Sequence, residues 1–201
     1  MNNPFGRDWT QVAPPSASYL NRTIVSLVRK TGAERVLDAG CGNGTLSRQL
    51  CDAGHQITGV DWDPKAVALA AARVPEGRFS SGLFCDLPPR SDFDAVVSTE
   101  VIEHLYDPNE LLQFAFNALR DGGTFIITTP HHGYLKNLAI SIVNGWDKHF
   151  MVDVLAGHIK FFSRRTLTAA LERNGFHVEQ FKGIGRAPFL RKSMILIARK
   201  T

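Results

Sequence analysis

Three glycines at every second position, Gly40, Gly42 and Gly44, follow the apolar run Val36-Leu37-Asp38-Ala39, and a second run, Ile57-Thr58-Gly59-Val60, ends in Asp61. Glycines at the end of a strand let the backbone approach a ligand where a side chain would collide with it. Asp61, one helix further along, has the carboxylate that accepts hydrogen bonds from both hydroxyls of a ribose. A nucleoside-like ligand is the chemistry this pair suits. A second constellation is Thr99-Glu100-Val101-Ile102-Glu103-His104, in which a single helical turn would bring Glu100 near both Glu103 and His104. Two carboxylates and an imidazole are good ligands for a divalent metal such as magnesium. A third group is the histidines after residue 130. His131, His149 and His158 are candidates for a general base, and Asp147 lies two residues from His149 as its orienter.

The glycine spacing discriminates among nucleotides. A dinucleotide fingerprint places a third glycine where Thr45 stands, and a pyrophosphate would have to sit by the Asp38 carboxylate, which disfavours an anion. A cation is welcome there, and S-adenosylmethionine carries a sulfonium and an ammonium beside its adenosine. A nicotinamide dehydrogenase is opposed on the same grounds.

At VLDAGCGNG the chain resembles the class I S-adenosylmethionine-dependent methyltransferases. The resemblance extends over about Val36 to Arg199 and is closest in pattern to the ubiquinone-biosynthesis O-methyltransferases. It implies an α/β Rossmann-like fold, with a seven-stranded, mostly parallel sheet, helices on both faces and an antiparallel edge hairpin. It also implies a cofactor site drawn from Asp38, Gly40, Gly42, Asp61, Trp62, Cys85, Asp86, Leu87 and Thr99, with Asp86 near the adenine and Trp62 offering an apolar face. Similar E-x-x-E-H sequences occur in ubiquinone-biosynthesis O-methyltransferases and small-RNA 2′-O-methyltransferases, which use them with magnesium or a related ion. That implies a metal set of Glu100, Glu103 and His104, with His158 as the further ligand. Many class I members carry much the same sequence without a metal.

The elements that must position these groups alternate helix and strand, as in a parallel-rich sheet covered on both faces. Helices are expected at Ser18–Lys30, Thr45–Ala53, from Asp63-Pro64, at Asn109–Leu119 and at Arg165–Asn174. Strands are expected at Arg35–Ala39, up to Asp61, at Arg78–Phe84, Phe93–Ser98, Thr124–Thr129, Phe176–Phe181 and Met194–Arg199, with Asp121-Gly122-Gly123 a stop before the fifth. A single domain spanning 1–201 is expected, with 1–34 an N-terminal extension and helix and 130–162 an insert forming the acceptor pocket or a lid. Leu135, Leu138, Ala139, Ile142 and Val143 give that insert an amphipathic helix, suited to core burial or, alternatively, to capping the pocket or touching a membrane surface.

Composition narrows the class. The chain of 201 residues has a formal charge of +4, modest for a nucleic-acid binder, and the basic residues Arg186, Arg191, Lys192, Arg199 and Lys200 suit a solvated surface or, alternatively, a face toward anionic lipid, RNA or a phosphorylated substrate. Three cysteines without C-x-x-C spacing indicate neither a disulfide framework nor a zinc site. No leader or membrane-length apolar run is present, so a cytoplasmic protein is expected. The expected activity is O-methylation of a small or lipid-like hydroxylated metabolite, a quinol, phenol or sugar. The alternatives are an RNA 2′-O-methyltransferase with a metal-assisted site and a noncatalytic cofactor-binding module.

Overall fold

The central strands of this chain read as largely apolar runs because both faces of the sheet are covered there. In β1 (Arg35–Ala39), Val36 packs into one core with α1 (Ala17–Thr31), while Leu37 packs into the other with α4 (Pro108–Ala118). The same alternation divides Val96 from Ala95 and Val97 in β4 (Phe93–Thr99), and Ile126 from Phe125 and Ile127 in β5 (Leu119–Pro130). A computed structural model describes residues 17–86, 92–147, 157–185 and 191–201. The remaining elements are α1 (Ala17–Thr31), α2 (Thr45–Asp52), β2 (Gln56–Asp61), α3 (Pro64–Arg73), β3 (Arg78–Ser81), a 3₁₀ turn (Ile102–His104), α4 (Pro108–Ala118), α5 (Tyr134–Ile142), α6 (Arg164–Arg173), β6 (Phe176–Gly185) and β7 (Arg191–Lys200).

One seven-stranded sheet runs in the order β3-β2-β1-β4-β5-β7-β6. The pairs from β3 to β5 are parallel, and β7 is antiparallel to both β5 and β6. The chain winds outward in both directions from between β1 and β4, and in such sheets ligands bind at the strands' carboxyl ends beside that reversal. This is the Rossmann-like arrangement with an antiparallel edge that the sequence implies.

Local chemistry sets the boundaries. Asp63 accepts from the Lys65 amide at 2.9 Å ahead of Pro64, and Asp107 accepts from the Asn109 amide at 2.9 Å ahead of Pro108. These are side-chain caps followed by a proline whose missing N–H costs nothing. The acid at the start of β4 is structural: Asp94 accepts from the Glu34 and Arg35 amides and from Arg120 at 2.7 Å.

Three differences from the sequence-based expectation stand out. The fifth strand begins at Leu119, not Thr124, because Phe93 pairs with Leu119 and Ala95 with Thr124, so that residues 120–123 bulge within the strand. The hairpin strands run beyond expectation, to Gly185 and from Arg191, whereas β3 stops at Ser81. The amphipathic helix of the insert forms as α5, but none of its residues is buried, which corrects the expectation of a core helix. Among the described residues no helix is long and apolar enough to cross a membrane.

Candidate functional site

The loop after β1 is moulded onto the end of β2. The amides of Gly40 and Cys41 donate to the Val60 carbonyl at 2.8 and 3.0 Å. Asp61 then holds the turn: its Oδ2 accepts from the Gly42 amide at 2.8 Å and its Oδ1 from the Asp63 amide at 3.0 Å. The Trp62 amide bonds to the same carboxylate, so three of its four lone pairs are engaged and one remains for a ligand. Burial pushes the Asp61 pKa up and these amides oppose the rise.

Two of the glycines do different work from one another. Gly40 has φ +84° and a Cβ there would run into the Val101 side chain, so this turn admits no larger residue. Gly44, at φ +75°, would place a Cβ 2.8 Å from the Ala70 backbone, so it is required by the packing of α2 on α3 rather than by a ligand.

A cleft of about 560 Å³ opens at the carboxyl ends of β1, β2 and β4. Gly40, Gly42, Asp61, Trp62 and Thr99 line it as the sequence predicts, as do Glu100, His104 and His158. Leu83 and Phe84 add an apolar wall beside Trp62. Other predicted residues lie elsewhere. Asp38 is buried beneath the turn, accepting from Ser47 Oγ at 2.6 Å, and is not part of the lining. Burial raises its pKa to about 7, with the Ser47 hydroxyl opposing and the Asp61 charge adding to the rise. Cys85 and Asp86 stand exposed outside the lining, with the thiol donating to Asp86 at 3.7 Å. His131 also lies outside it, its pKa lowered by burial and by Arg191 and Lys136. Leu87 and His149 fall outside the described residues.

The E-x-x-E-H segment divides its two acids. Glu100 takes a left-handed conformation, φ +54°, unusual for a side-chain-bearing residue and a mark of local strain. Its carboxylate accepts from Thr128 Oγ1 at 3.0 Å and Ser193 Oγ at 3.3 Å. Burial carries its pKa to about 7, against those two hydroxyls and the charge of Lys136. The metal set therefore loses Glu100, because the backbone at this residue lies outside the right-handed helical region that a regular turn would need. Glu103 and His104, on the 3₁₀ turn, meet His158 instead, with one ligand atom of each lying within 4.8 Å of the others. Glu103 Oε1 is 3.9 Å from His104 Nε2 and 4.0 Å from His158 Nε2, while Glu103 Oε2 accepts from Thr129 Oγ1 at 3.0 Å. His104 Nδ1 lies 3.2 Å from the Gly157 carbonyl, which can only accept, so Nδ1 carries the proton and Nε2 turns to Glu103. The Ile159 and Lys160 amides, donating to the Glu103 carbonyl at 2.9 and 3.0 Å, hold the His158 segment in place.

Sequence reasoning missed the opposite wall. Tyr19 and Asn21 from α1, with Lys192 and Ser193 from β7, line the same cleft, and Tyr19 Oη lies 3.1 Å from Ser193 Oγ. Asn21 is 5 % exposed and its Nδ2 has no hydrogen-bond partner among the described residues.

A sequence profile of the methyltransferase domain matches residues 16–180. The chain belongs to the methyltransferase domain family. It falls within the class I S-adenosylmethionine-dependent superfamily, as its motifs imply. A relative from Mycolicibacterium smegmatis, named "probable S-adenosylmethionine-dependent methyltransferase", is 32% identical over 159 residues, covering 79% of this chain and 58% of its own. A ubiquinone biosynthesis O-methyltransferase from Bradyrhizobium is 29% identical over 160 residues, covering 77% and 63%. This methyltransferase domain thus spans about three-fifths of the length of those two relatives. Magnesium protoporphyrin IX methyltransferase from Synechocystis, solved with bound SAH, superposes with a TM-score of 0.72 at 19% identity, over 98% of this chain and 91% of that one. At that identity the likeness concerns the fold.

The methyltransferase domain's cleft fits the superfamily's cofactor. Gly40 leaves no space for a side chain beside Val101, Asp61 keeps acceptor capacity, and the Asn21 amide is a buried donor without a partner among the described residues.

Proposed function

We propose that the chain is an S-adenosylmethionine-dependent O-methyltransferase acting on a small or lipid-like hydroxylated metabolite, such as a quinol, a phenol or a sugar. The observation that carries this reading is one cleft with Asp61 and the glycine turn at one end and His104 and His158 at the other. Asp61 would hold the ribose hydroxyls, Trp62 and Leu83 would cover the adenine, and Asn21 would donate to the amino-acid end. When bound, the cofactor supplies a methyl group on a sulfonium that leaves readily. The chain's task is to align an acceptor hydroxyl and take its proton. His158 or His104 can accept that proton at Nε2, and the buried Glu103 carboxylate stabilises the imidazolium that forms. The relative named as a ubiquinone biosynthesis O-methyltransferase supports oxygen as the acceptor atom. Calorimetry on the purified chain tests the cofactor half: S-adenosylhomocysteine should bind and NAD should not. The converse result would refute the reading. Transfer of labelled methyl groups into a metabolite extract then identifies the acceptor.

A second reading of the same wall is favoured by the convergence of Glu103, His104 and His158. One carboxylate and two imidazoles suit zinc, manganese or cobalt better than magnesium, which prefers an all-oxygen shell. Such an ion would polarise the acceptor hydroxyl. Titration of the metal-free chain should then show zinc binding that weakens at least tenfold in His158→Ala. Absence of heat with zinc and manganese leaves the histidines as unaided bases.

A further inference from the structure

The helix α5 is turned inside out. Its inner side carries Lys136, Asn137 and Ile140, each half-buried, and Lys136 Nζ donates to the His131 carbonyl at 3.3 Å. Its outer side carries Leu135, Leu138 and Ile142, continued by Val143, with Ile142 75 % and Val143 73 % exposed and Tyr134 79 % exposed at its start. Burying any one of these side chains is worth about 1.5–3 kcal/mol, so a helix facing only water would gain by the opposite orientation. The apolar area does not stop at the helix. Phe161, 48 % exposed, packs edge-on to His132 with ring centroids 5.0 Å apart.

Charge around this surface is mostly positive. The Arg164 and Arg191 guanidinium groups lie over the Phe181 ring, 4.8 and 5.2 Å from its centroid, and the His131 ring is 6.1 Å from it. Lys192 follows Arg191 and its carbonyl accepts from the His131 amide at 2.9 Å. In the described parts of 131–147, 157–171, 176–185 and 191–193 the only acids are Asp147 and Glu179. Glu179 is spent on Arg199 at 2.6 Å, and the acid facing Lys136 is Glu100, which is buried in the cleft.

We propose that the outer face of α5 docks the protein on an anionic bilayer surface, with Arg164 and Arg191 over Phe181 meeting lipid phosphates. A nine-residue helix is about 14 Å long, too short to cross a bilayer and of the right kind to lie in its interface. The cationic rim argues against a second copy as the occupant, because a twofold contact would set this rim against itself. Pro130, at the end of β5, and Lys192 both line the cleft, so docking would bring its mouth to the lipid surface. The docking itself does not depend on the methyl-transfer reading.

Co-sedimentation of the full chain with vesicles tests it. Vesicles containing phosphatidylglycerol should carry the protein down, several-fold more than phosphatidylcholine alone, and added salt should weaken the binding. The Leu138→Asp/Ile142→Asp double variant, changed only at exposed positions, should lose at least tenfold in bound fraction while keeping its affinity for S-adenosylhomocysteine. Failure to sediment, equal sedimentation with neutral vesicles or equal sedimentation of the variant would overturn the proposal. So would a dimer in sedimentation velocity that the same variant dissociates.

Discussion

Asp61→Ala is expected to weaken S-adenosylhomocysteine binding by about 10- to 150-fold, the equivalent of about 1.5–3 kcal/mol for hydrogen bonds to a buried charged acceptor. The same carboxylate ties the Gly42, Trp62 and Asp63 amides, so the variant also strands these backbone donors and slackens the turn against which a ligand would lie. Calorimetry gives the affinity and a urea midpoint measured alongside gives the loss of stability. Unchanged affinity in a folded variant would remove Asp61 from the binding site whatever happens to the midpoint.

Stability should fall as the pH is raised from about 4 to about 7. Asp38 releases its proton near 3.8 in an unfolded chain and near 7 in the folded one. Between those values the folded state holds a proton that the unfolded state has lost, so rising pH favours unfolding. A shift of that size corresponds to a change on the order of 4 kcal/mol. Glu100, raised to about 7 from 4.5, adds with the same sign. The physical cause is burial: Asp38 is almost wholly buried, and although its Oδ2 has Ser47, its Oδ1 has no hydrogen-bond partner among the described residues. Thermal melts at pH 5.5 and pH 8 should therefore differ, with the higher melting temperature at pH 5.5. Asp38→Asn, which cannot ionise, should narrow the gap, and an undiminished gap would assign the pH dependence to other groups.

The parts of this molecule that were legible in its sequence are those fixed by neighbours in the chain. The glycine turn, the helix start at Asp63-Pro64 and the apolar runs of β1, β4 and β5 are local patterns, and the sheet is built from them. The site was less legible because single dihedral angles and distant contacts shape it. Spacing alone cannot show that Glu100 adopts φ +54° and sends its carboxylate to Thr128 and Ser193 instead of toward His104. Nor can it show that Asp38 lies beneath the turn it precedes, since alternation along β1 says only that successive side chains face opposite ways. Tyr19 and Ser193 are 174 residues apart in sequence, and no motif joins them. For α5 the apolar stripe was plain, but a stripe does not say whether protein or something else will cover it.

The place of β7 in the sheet has a consequence for synthesis. It is inserted between β5 and β6, although β6 is made first. While a nascent chain has emerged from the ribosome only as far as β6, that strand has no partner and β5 presents a bare edge. The strand that completes the sheet also delivers Lys192 and Ser193 to Tyr19, so a newly made chain finishes its scaffold and closes its binding cleft in the same event.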